Sequence, residues 1–349
     1  MSVNLGKTFI NLFSMLAFML ILGIESTAHT LGVSIVEKNG ERYVVKSNEK
    51  RVYTTHGEGL IPAKISEHHL SVIDELFRDA LRKASVMLDD IDLVAYSIGP
   101  GIGHALRIGA AIARSIALQR GKPVVGVNHC IAHLEVGRVL TPAKDPVLLY
   151  VSGANTQIIA FDAGRYRIFG ETLDMGVGNF IDSIGRLLGI GFPAGPRIEE
   201  LARKGERYIE LPYTIKGMDI SLGGLYTNIK QKIESKKYRI EDLAYSIQET
   251  VFAMLIEAAE RAMAHTGKDE LLLGGGVACN SRLQEMARIM TKERGAKSFA
   301  PEKQFLLDNA AMIAITGGMM HAAGVQSLKP RDMIIKPYQR TEQVEVIWR

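Results

Sequence analysis

The chain has 349 residues, 47% of them hydrophobic and 23% charged, with a formal net charge of +4 at pH 7. This composition excludes a disordered chain, the length suits two domains that share a cleft, and the slight positive charge fits a protein that meets a polyanion. The two cysteines, Cys130 and Cys279, are too few for a disulfide framework, which indicates a reducing compartment and a cytoplasmic location.

The first feature along the chain is a run of mostly apolar residues from Phe9 to Ile24. The run is short for a membrane span, Asn11 and Ser14 interrupt it, and its end has the character of a first strand. We therefore expect residues 1–18 to be an N-terminal extension, with Met19 as an alternative start, and no membrane association.

Two strand-rich openings of similar design predict two halves of one fold. Leu20 to Val36 and Val147 to Phe161 are apolar, and each is broken by a short polar segment, at 25–27 and at 152–156. Each predicts a hairpin whose turn is suited to face a phosphate. We expect an N-terminal lobe at 19–140 and a C-terminal lobe at 141–349, with a cleft between them.

Between and after these openings, strands alternate with helices. Apolar spacing predicts helices at Ile65 to Leu88, His104 to Gln119, Tyr245 to His265 and Phe305 to Ala323, and strands at Leu93 to Ile98, Val124 to Val127 and Glu270 to Leu273. The stretch from about 171 to 245 is more helical and more charged, and we expect it to be an insertion in the second lobe. The alternation indicates an α/β architecture, in which ligands bind at the carboxyl ends of the strands.

His129 and His133 follow a predicted strand, and Asn128 is a suitable N-cap for a helix that carries both. Their i, i+4 spacing places two imidazoles on one helical face, within reach of one metal ion. Cys130 stands where a zinc peptidase motif needs a glutamate base. These residues alone leave open whether they bind a metal or serve as unrelated capping and packing histidines. Asp308 is either a third ligand or a plain N-cap.

Three glycine-rich turns, at 99–103, 152–156 and 274–276, each follow an apolar strand. Such turns offer backbone N–H groups to an anion or allow a ligand ring to approach the backbone. None matches a P-loop or a dinucleotide fingerprint, so a nucleotide-type ligand and ordinary turns both remain open.

Basic residues form two groups: Lys230, Lys232, Lys236, Lys237 and Arg239, and Lys329, Arg331, Lys336 and Arg340. They are suited either to RNA phosphates or to a solvated surface, and we expect no base-stacking platform among them.

Eight motifs, taken together and in order, resemble those of one family. They are 23–30, Gly99-Pro100-Gly101 with Leu106-Arg107 and Gly109, Asn128 to His133, Val151-Ser152-Gly153, Gly178 to Asp182, Gly191-Phe192-Pro193, 274–280 and 308–312. Over roughly residues 19–337 the chain resembles the TsaD, Kae and Qri group, and it looks like the archaeal and eukaryotic branch found in the KEOPS complex.

The resemblance implies a two-lobed α/β fold of the actin and sugar-kinase type. It implies transfer of threonylcarbamoyl from threonylcarbamoyl-AMP to N6 of the adenine 3′ of the anticodon, in tRNAs that read codons starting with A. The implied partners are tRNA, an upstream enzyme that makes threonylcarbamoyl-AMP, and KEOPS-type subunits that include a small atypical kinase or ATPase chain.

The resemblance also implies site residues. One divalent metal ion, iron or zinc, would be bound by four side chains: His129, His133, Tyr150 and Asp308. The cleft for threonylcarbamoyl-AMP or ATP would be lined by Tyr150, Val151, Ser152, Gly153, Ala154, Asp182, Gly195, Glu199 and Asn280. Ala154 stands where the family usually has a second glycine, and its methyl group is expected to narrow the loop. Glu25, near the loop that would face the substrate, is our candidate for the catalytic base.

Three other functions share parts of this pattern. A phosphotransferase of the actin and sugar-kinase superfamily would need a carboxylate near the second phosphate loop, and 152–156 has none. A nucleotide-binding scaffold would bind ATP without catalysis. A metallopeptidase would need the base that Cys130 cannot supply. The first two have no use for a histidine pair on a helix.

Overall fold

A computed structural model describes residues 18–55 and 60–349, so the predicted extension lies outside the described residues except for Phe18. The first of two five-stranded sheets is built from β1 (Met19–Glu25), β2 (Thr30–Asn39), β3 (Arg42–Val52), β4 (Leu93–Gly99) and β5 (Val124–Asn128). Its strand order is β3-β2-β1-β4-β5.

The second sheet repeats this design. Its strands are β6 (Val147–Val151), β7 (Thr156–Asp162), β8 (Arg165–Glu171), β11 (Glu270–Gly274) and β12 (Lys297–Phe299), in the order β12-β11-β6-β7-β8. A short antiparallel pair, β9 (Ile215–Lys216) and β10 (Asp219–Ile220), lies apart from it. In each sheet the first strand pairs antiparallel with the second and parallel with a later strand. The two predicted hairpin openings are therefore present.

Helices cover both sheets. They are α1 (Pro62–Ala84), α2 (Gly103–Arg120), α3 (His129–Leu140), α4 (Val177–Leu187), α5 (Gly195–Ala202), α6 (Gly223–Glu234), α7 (Ile240–Thr266), α8 (Ser281–Glu293), α9 (Lys303–Leu306) and α10 (Ala310–Ala322). Between β8 and α7 lie α4, α5 and α6, in the stretch where the sequence predicted a helical insertion. Within the described ranges, no helix is both long enough and apolar enough to cross a membrane.

The prediction of one unbroken helix from Phe305 to Ala323 is wrong. The chain leaves the helical path at Leu307, and α10 starts anew after Asn309, whose Oδ1 accepts a hydrogen bond from the Met312 N–H at 3.0 Å. A side chain that accepts from the backbone in this way begins a new helix. Because of this break, Asp308 lies in a short extended segment between α9 and α10. The cap at Asn309 fixes the position of this segment.

The helix α3 lies between the two sheets. Asn128 caps it, because its Oδ1 accepts from the N–H groups of Cys130 (3.1 Å) and Ile131 (3.2 Å). One side of the helix, with Ala132 and Val136, packs in the core of the first sheet. Cys130 and Ile131 pack instead with residues of the second sheet. Side chains on this helix are therefore held where the two halves of the molecule meet.

After α9 the chain returns to the first sheet, where Ile313 and Ile315 of α10 pack with Ile21 of β1 and Ala95 of β4. The predicted limits of the lobes, 19–140 and 141–349, stay a prediction. By packing, however, α10 joins the first half of the molecule.

The close approach of α10 to β1 depends on Gly23, and we expect Gly23→Ala to destabilise the fold. A Cβ there would lie 2.2 Å from the carbonyl oxygen of Ala310 and 2.9 Å from the Ala314 Cβ. Backbone must shift to make room, and overpacking of this kind costs about 1–3 kcal/mol. Urea unfolding measures the change. Gly224→Ala is the control, because a Cβ at Gly224 meets nothing within 4 Å; equal stability of the two variants would contradict the prediction.

Candidate metal centre and substrate cleft

Four side chains from three parts of the chain converge at the junction of the sheets. His129 and His133 point from one face of α3, Tyr150 comes from β6, and Asp308 from the segment before α10. The Nε2 atoms of both histidines lie 3.4 Å from Asp308 Oδ1, and His129 Nε2 lies 3.2 Å from the Tyr150 hydroxyl oxygen. The structure thus brings together all four residues that the family resemblance implied as metal ligands.

The second ring nitrogen of His129 faces a buried carboxylate. Its Nδ1 lies 3.0 Å from Oε2 of Glu25, which is fully buried (0% exposed) at the end of β1. The other carboxylate oxygen accepts from the Thr27 N–H at 2.6 Å, and the Thr27 hydroxyl lies 3.2 Å from His129 Nδ1. Since Glu25 is behind the histidine ring, its carboxylate has no free path to the cleft.

The charges around His129 depend on one another. Burial acts to lower the pKa of His129, but the Tyr150 oxygen and the carboxylates of Glu25 and Asp308 together outweigh it and raise this pKa well above its usual value. Burial dominates at His133 and lowers its pKa. The pKa of Asp308 is held well below its usual range, against the effect of burial, by the two histidines. The buried carboxylate of Glu25 and the half-buried carboxylate of Asp308 therefore favour positive charge in this cluster.

A divalent metal ion fits this requirement. One ligand atom each from His129, His133 and Asp308 lies within 4.8 Å of the others. Two imidazole nitrogens with one carboxylate oxygen suit zinc or iron, and a carboxylate that orients a ligating histidine through its far nitrogen is common at such centres.

We expect Glu25→Gln to weaken metal binding by about 10- to 100-fold, the usual effect of changing a group that orients a metal ligand. The amide keeps the size of the side chain but loses the charge that holds the proton on His129 Nδ1. Competition between the protein and a fluorescent chelator for Zn²⁺ measures the change. Glu49→Gln is the control, since Glu49 pairs with Lys83 on another face; unchanged affinity in the Glu25 variant would contradict an orienting role.

The glycine-containing turn after β6 is closed on itself. The N–H and hydroxyl of Ser152 both donate to the carbonyl oxygen of Asn155, at 2.8 and 2.9 Å. The first turn of α4 packs on it, since the Asn179 N–H donates to the carbonyl of Gly153 at 2.8 Å. Val151 is buried in the strand, whereas Gly153 and Ala154 are exposed. The narrowing effect of the Ala154 methyl group stays a prediction.

The remaining predicted substrate residues lie on the insertion and the helix after β11. Glu199 on α5 accepts from the Ser281 hydroxyl at 2.6 Å, next to Asn280, which caps α8 and donates to Gln248 Oε1 at 3.0 Å. Asp182 on α4 and Gly195 at the start of α5 lie on either side of the loop that joins these two helices. Asp182 accepts from the Ala194 N–H at 2.8 Å, and burial raises its pKa. The structure therefore groups Glu199 with Asn280, and Asp182 with the start of α5.

Across from Asp182, the turn of the first lobe supplies His29, whose ring meets Phe192 edge to face at 5.3 Å between centroids. A second residue of the first lobe, Lys50 on β3, was not selected from the sequence. Its ammonium group faces Asp308 and Cys279, and its pKa is lowered because burial outweighs their effect. A lone lysine in a strand carries no signal of such a position.

The chain matches the profile of the family described as TsaD, tRNA N6-adenosine threonylcarbamoyltransferase, over residues 44–315. A protein of that name from Thermococcus kodakarensis is 54% identical over 330 residues, which are 95% of this chain and 100% of the relative. Another from Danio rerio is 48% identical over 337 residues, covering 95% of this chain and 99% of the relative.

Solved structures at low identity share the fold. HypF from T. kodakarensis superposes with a TM-score of 0.63 at 14% identity, over 92% of this chain and 50% of that one. The (R)-2-hydroxyglutaryl-CoA dehydratase component A of Acidaminococcus fermentans gives 0.54 at 14% identity, over 86% of this chain and 96% of that one. Together with the two sheets, these similarities confirm the two-lobed α/β fold of the actin and sugar-kinase type.

Proposed function

Because the chain belongs to the TsaD family of tRNA N6-adenosine threonylcarbamoyltransferases, we propose how its own residues carry out that reaction. The chain is an acyltransferase that acts on N6 of adenosine in tRNA. For this chain we propose threonylcarbamoyl-AMP as the donor and the adenine 3′ of the anticodon as the acceptor. The convergence of His129, His133, Tyr150 and Asp308 is the observation that supports this site for the reaction.

The four converging side chains would hold one divalent metal ion, iron or zinc. When bound, such an ion supplies positive charge to carbamate or phosphate oxygens as AMP departs. The chain's own part is to fix the ligands: the α3 helix sets the spacing of the two imidazoles, and the cap at Asn309 sets Asp308.

Glu25 takes a different role from the base that the sequence suggested. Since its carboxylate is buried behind His129, we propose that it holds the tautomer in which Nε2 faces the cluster. The adenine amine is a weak nucleophile, so positioning of the two substrates must contribute much of the rate. The half-buried ammonium of Lys50 beside Asp308 is suited to hold an anionic group of the donor.

The nucleotide part of the donor would lie along the second lobe. The exposed backbone of Gly153 and Ala154, in the turn that Ser152 closes, is suited to the phosphate. The ribose and adenine would be bound by Asp182, Gly195, Glu199 and Asn280. The pairing of Glu199 with the start of α8 supports this, because it gathers a carboxylate and an amide at one helix N-terminus.

For partners we propose tRNA, an upstream enzyme that makes the donor, and KEOPS-type subunits including a small kinase or ATPase chain. A longer relative from Thermoplasma acidophilum supports the proposal that a second activity accompanies the transfer reaction. It is called a probable bifunctional tRNA threonylcarbamoyladenosine biosynthesis protein, and this chain spans 61% of its length. We propose a cytoplasmic location, where tRNA and a reduced Cys130 are compatible.

The test supplies the chain and its partner subunits with threonylcarbamoyl-AMP and unmodified tRNA, without ATP, and weighs the digested nucleosides by mass spectrometry. Threonylcarbamoyladenosine in this mixture supports the transfer as written. A second mixture contains ATP in place of threonylcarbamoyl-AMP. Phosphate transfer in this second mixture, with no modified nucleoside in the first, would favour a phosphotransferase of the same fold.

A further inference from the structure

Residues 328–340, which we call the C-terminal strap, cross the first lobe with one 3-10 turn at Pro330–Asp332, and buried and exposed positions largely alternate along them. Met333 is buried, and Leu328, Ile335 and Pro337 are half-buried against the lobe. The outward residues are exposed and mostly basic: Lys329, Arg331, Asp332, Ile334, Lys336, Tyr338 and Arg340. The alternation therefore separates an apolar anchoring face from a cationic outer face.

Backbone hydrogen bonds hold the strap to the lobe along its length. Leu328 N–H donates to the Val124 carbonyl at 2.8 Å, and Lys336 N–H to the Ile98 carbonyl at 2.7 Å. The Pro337 carbonyl accepts from the Gly101 N–H at 3.0 Å. Because the backbone is fixed at both ends, the outer face is presented without an ordering cost on binding.

Tyr338 is the most exposed of the large hydrophobic residues that the structure describes, with 92% of its surface open. Lys336 and Arg340 flank it on the same outer face. No aromatic or cationic group of residues 18–55 and 60–349 covers its ring. Lys336 and Lys329 likewise form no ion pair with a described carboxylate. Arg340, in contrast, pairs with Glu171 at 3.1 Å and with Glu342 at 3.5 Å. An open aromatic ring beside an unpaired lysine is suited to stack on a nucleic-acid base while the lysine contacts a phosphate.

The other basic group offers a weaker platform. Its aromatic residue, Tyr238, is 39% exposed, and Lys232 already lies over its ring at 5.0 Å from the centroid. The two groups that the sequence left equivalent therefore differ in whether an aromatic ring is free to receive a base.

The strap also reaches the metal cluster through direct contacts. Pro337 binds Gly101, and the next residue, Ile102, donates to the Thr27 carbonyl at 2.7 Å. The Thr27 hydroxyl in turn lies 3.2 Å from His129 Nδ1. RNA on the outer face of the strap would thus lie beside the lobe that carries the transfer site.

We propose that the outer face of the C-terminal strap binds the substrate tRNA, with Tyr338 stacking on an unpaired base and Lys336 contacting a neighbouring phosphate. This inference rests on the tRNA substrate of the proposed function, and it adds a surface outside the cleft. The stacking contact sets affinity without regard to salt, whereas the lysine contact weakens as salt rises.

The test measures the affinity of the full-length chain for unmodified tRNA over a series of salt concentrations. We expect Tyr338→Ala to weaken binding by about 10-fold at every salt concentration, within the range that stacking contributes. Tyr338→Phe should restore it, because the ring remains. Lys336→Ala should lower the slope of log affinity against log salt by about 1. Tyr238→Ala is the matched control and should bind tRNA with the same affinity as the chain without substitutions.

Unchanged affinity in Tyr338→Ala, a loss that Phe does not restore, or an equal loss in Tyr238→Ala would each overturn the proposal. The proposal would also be overturned if the chain without substitutions bound no tRNA. Threonylcarbamoyladenosine formed by the chain without substitutions, together with its partner subunits, distinguishes this failure from failure of the proposed function. Zinc affinity, measured with a chelator, checks that the strap variants keep the metal centre intact.

Discussion

Replacing His129 with alanine is expected to lower threonylcarbamoyl transfer by about 100- to 1,000-fold, the usual cost of removing one group that stabilises charge in the transition state. The variant loses one of the nitrogens around Asp308 and leaves Glu25 buried without its partner. Mass spectrometry of digested tRNA measures the product, and elemental analysis of the purified variant measures bound metal.

His265→Ala is the control for this experiment, because His265 is an exposed histidine on the last turn of α7 whose ring packs against Phe169, away from the metal cluster. It should retain both metal and activity. If the His129 variant transfers at the full rate, the cluster has no part in the mechanism. If the variant has also lost its metal, the family's reaction stands and the ion is structural.

A second large effect is expected away from the reaction, at Glu135. This carboxylate on α3 is fully buried (0% exposed). One oxygen accepts from Tyr166 and from Trp348 Nε1 at 2.8 Å, and the other pairs with Arg138. Glu135→Ala leaves a largely buried guanidinium and two donors without their acceptor, and breaking a buried pair in this way costs about 3–5 kcal/mol. Urea unfolding measures this loss.

Glu135→Gln separates charge from hydrogen bonding at the same position. Its amide oxygen still accepts from Tyr166 and Trp348, so we expect a smaller loss of stability than with alanine. If the alanine and glutamine variants unfold at the same urea concentration, the hydrogen bonds to Tyr166 and Trp348 contribute nothing, and the prediction fails in that part.

Local patterns were sufficient for much of the fold. The strand at Leu93 and the helix of the histidine pair were predicted because apolar spacing and an N-cap at Asn128 are properties of adjacent residues. The break at Leu307 was not predicted, because apolar residues continue on both sides of it and only the cap at Asn309 marks the start of the new helix.

The candidate site was predictable only in part. Asp308 lies 175 residues from His133, and no spacing rule joins residues so far apart; only the family resemblance did. The place of Glu25 depends on how the end of β1 faces α3, which is a matter of packing between elements. Tyr338 was overlooked because a tyrosine between two basic residues does not show, in sequence, which way its ring faces.

The tight contact at Gly23 has a further consequence for how mutations of this protein are interpreted. The Ala310 carbonyl that excludes a side chain at Gly23 lies two residues after Asp308. A methyl group at position 23 would displace the start of α10 and, with it, the carboxylate that both histidines face. A screen scored by growth would therefore rank Gly23 among the essential residues, although it touches no substrate. Only a comparison of protein abundance with activity per molecule would separate such a position from one that performs chemistry.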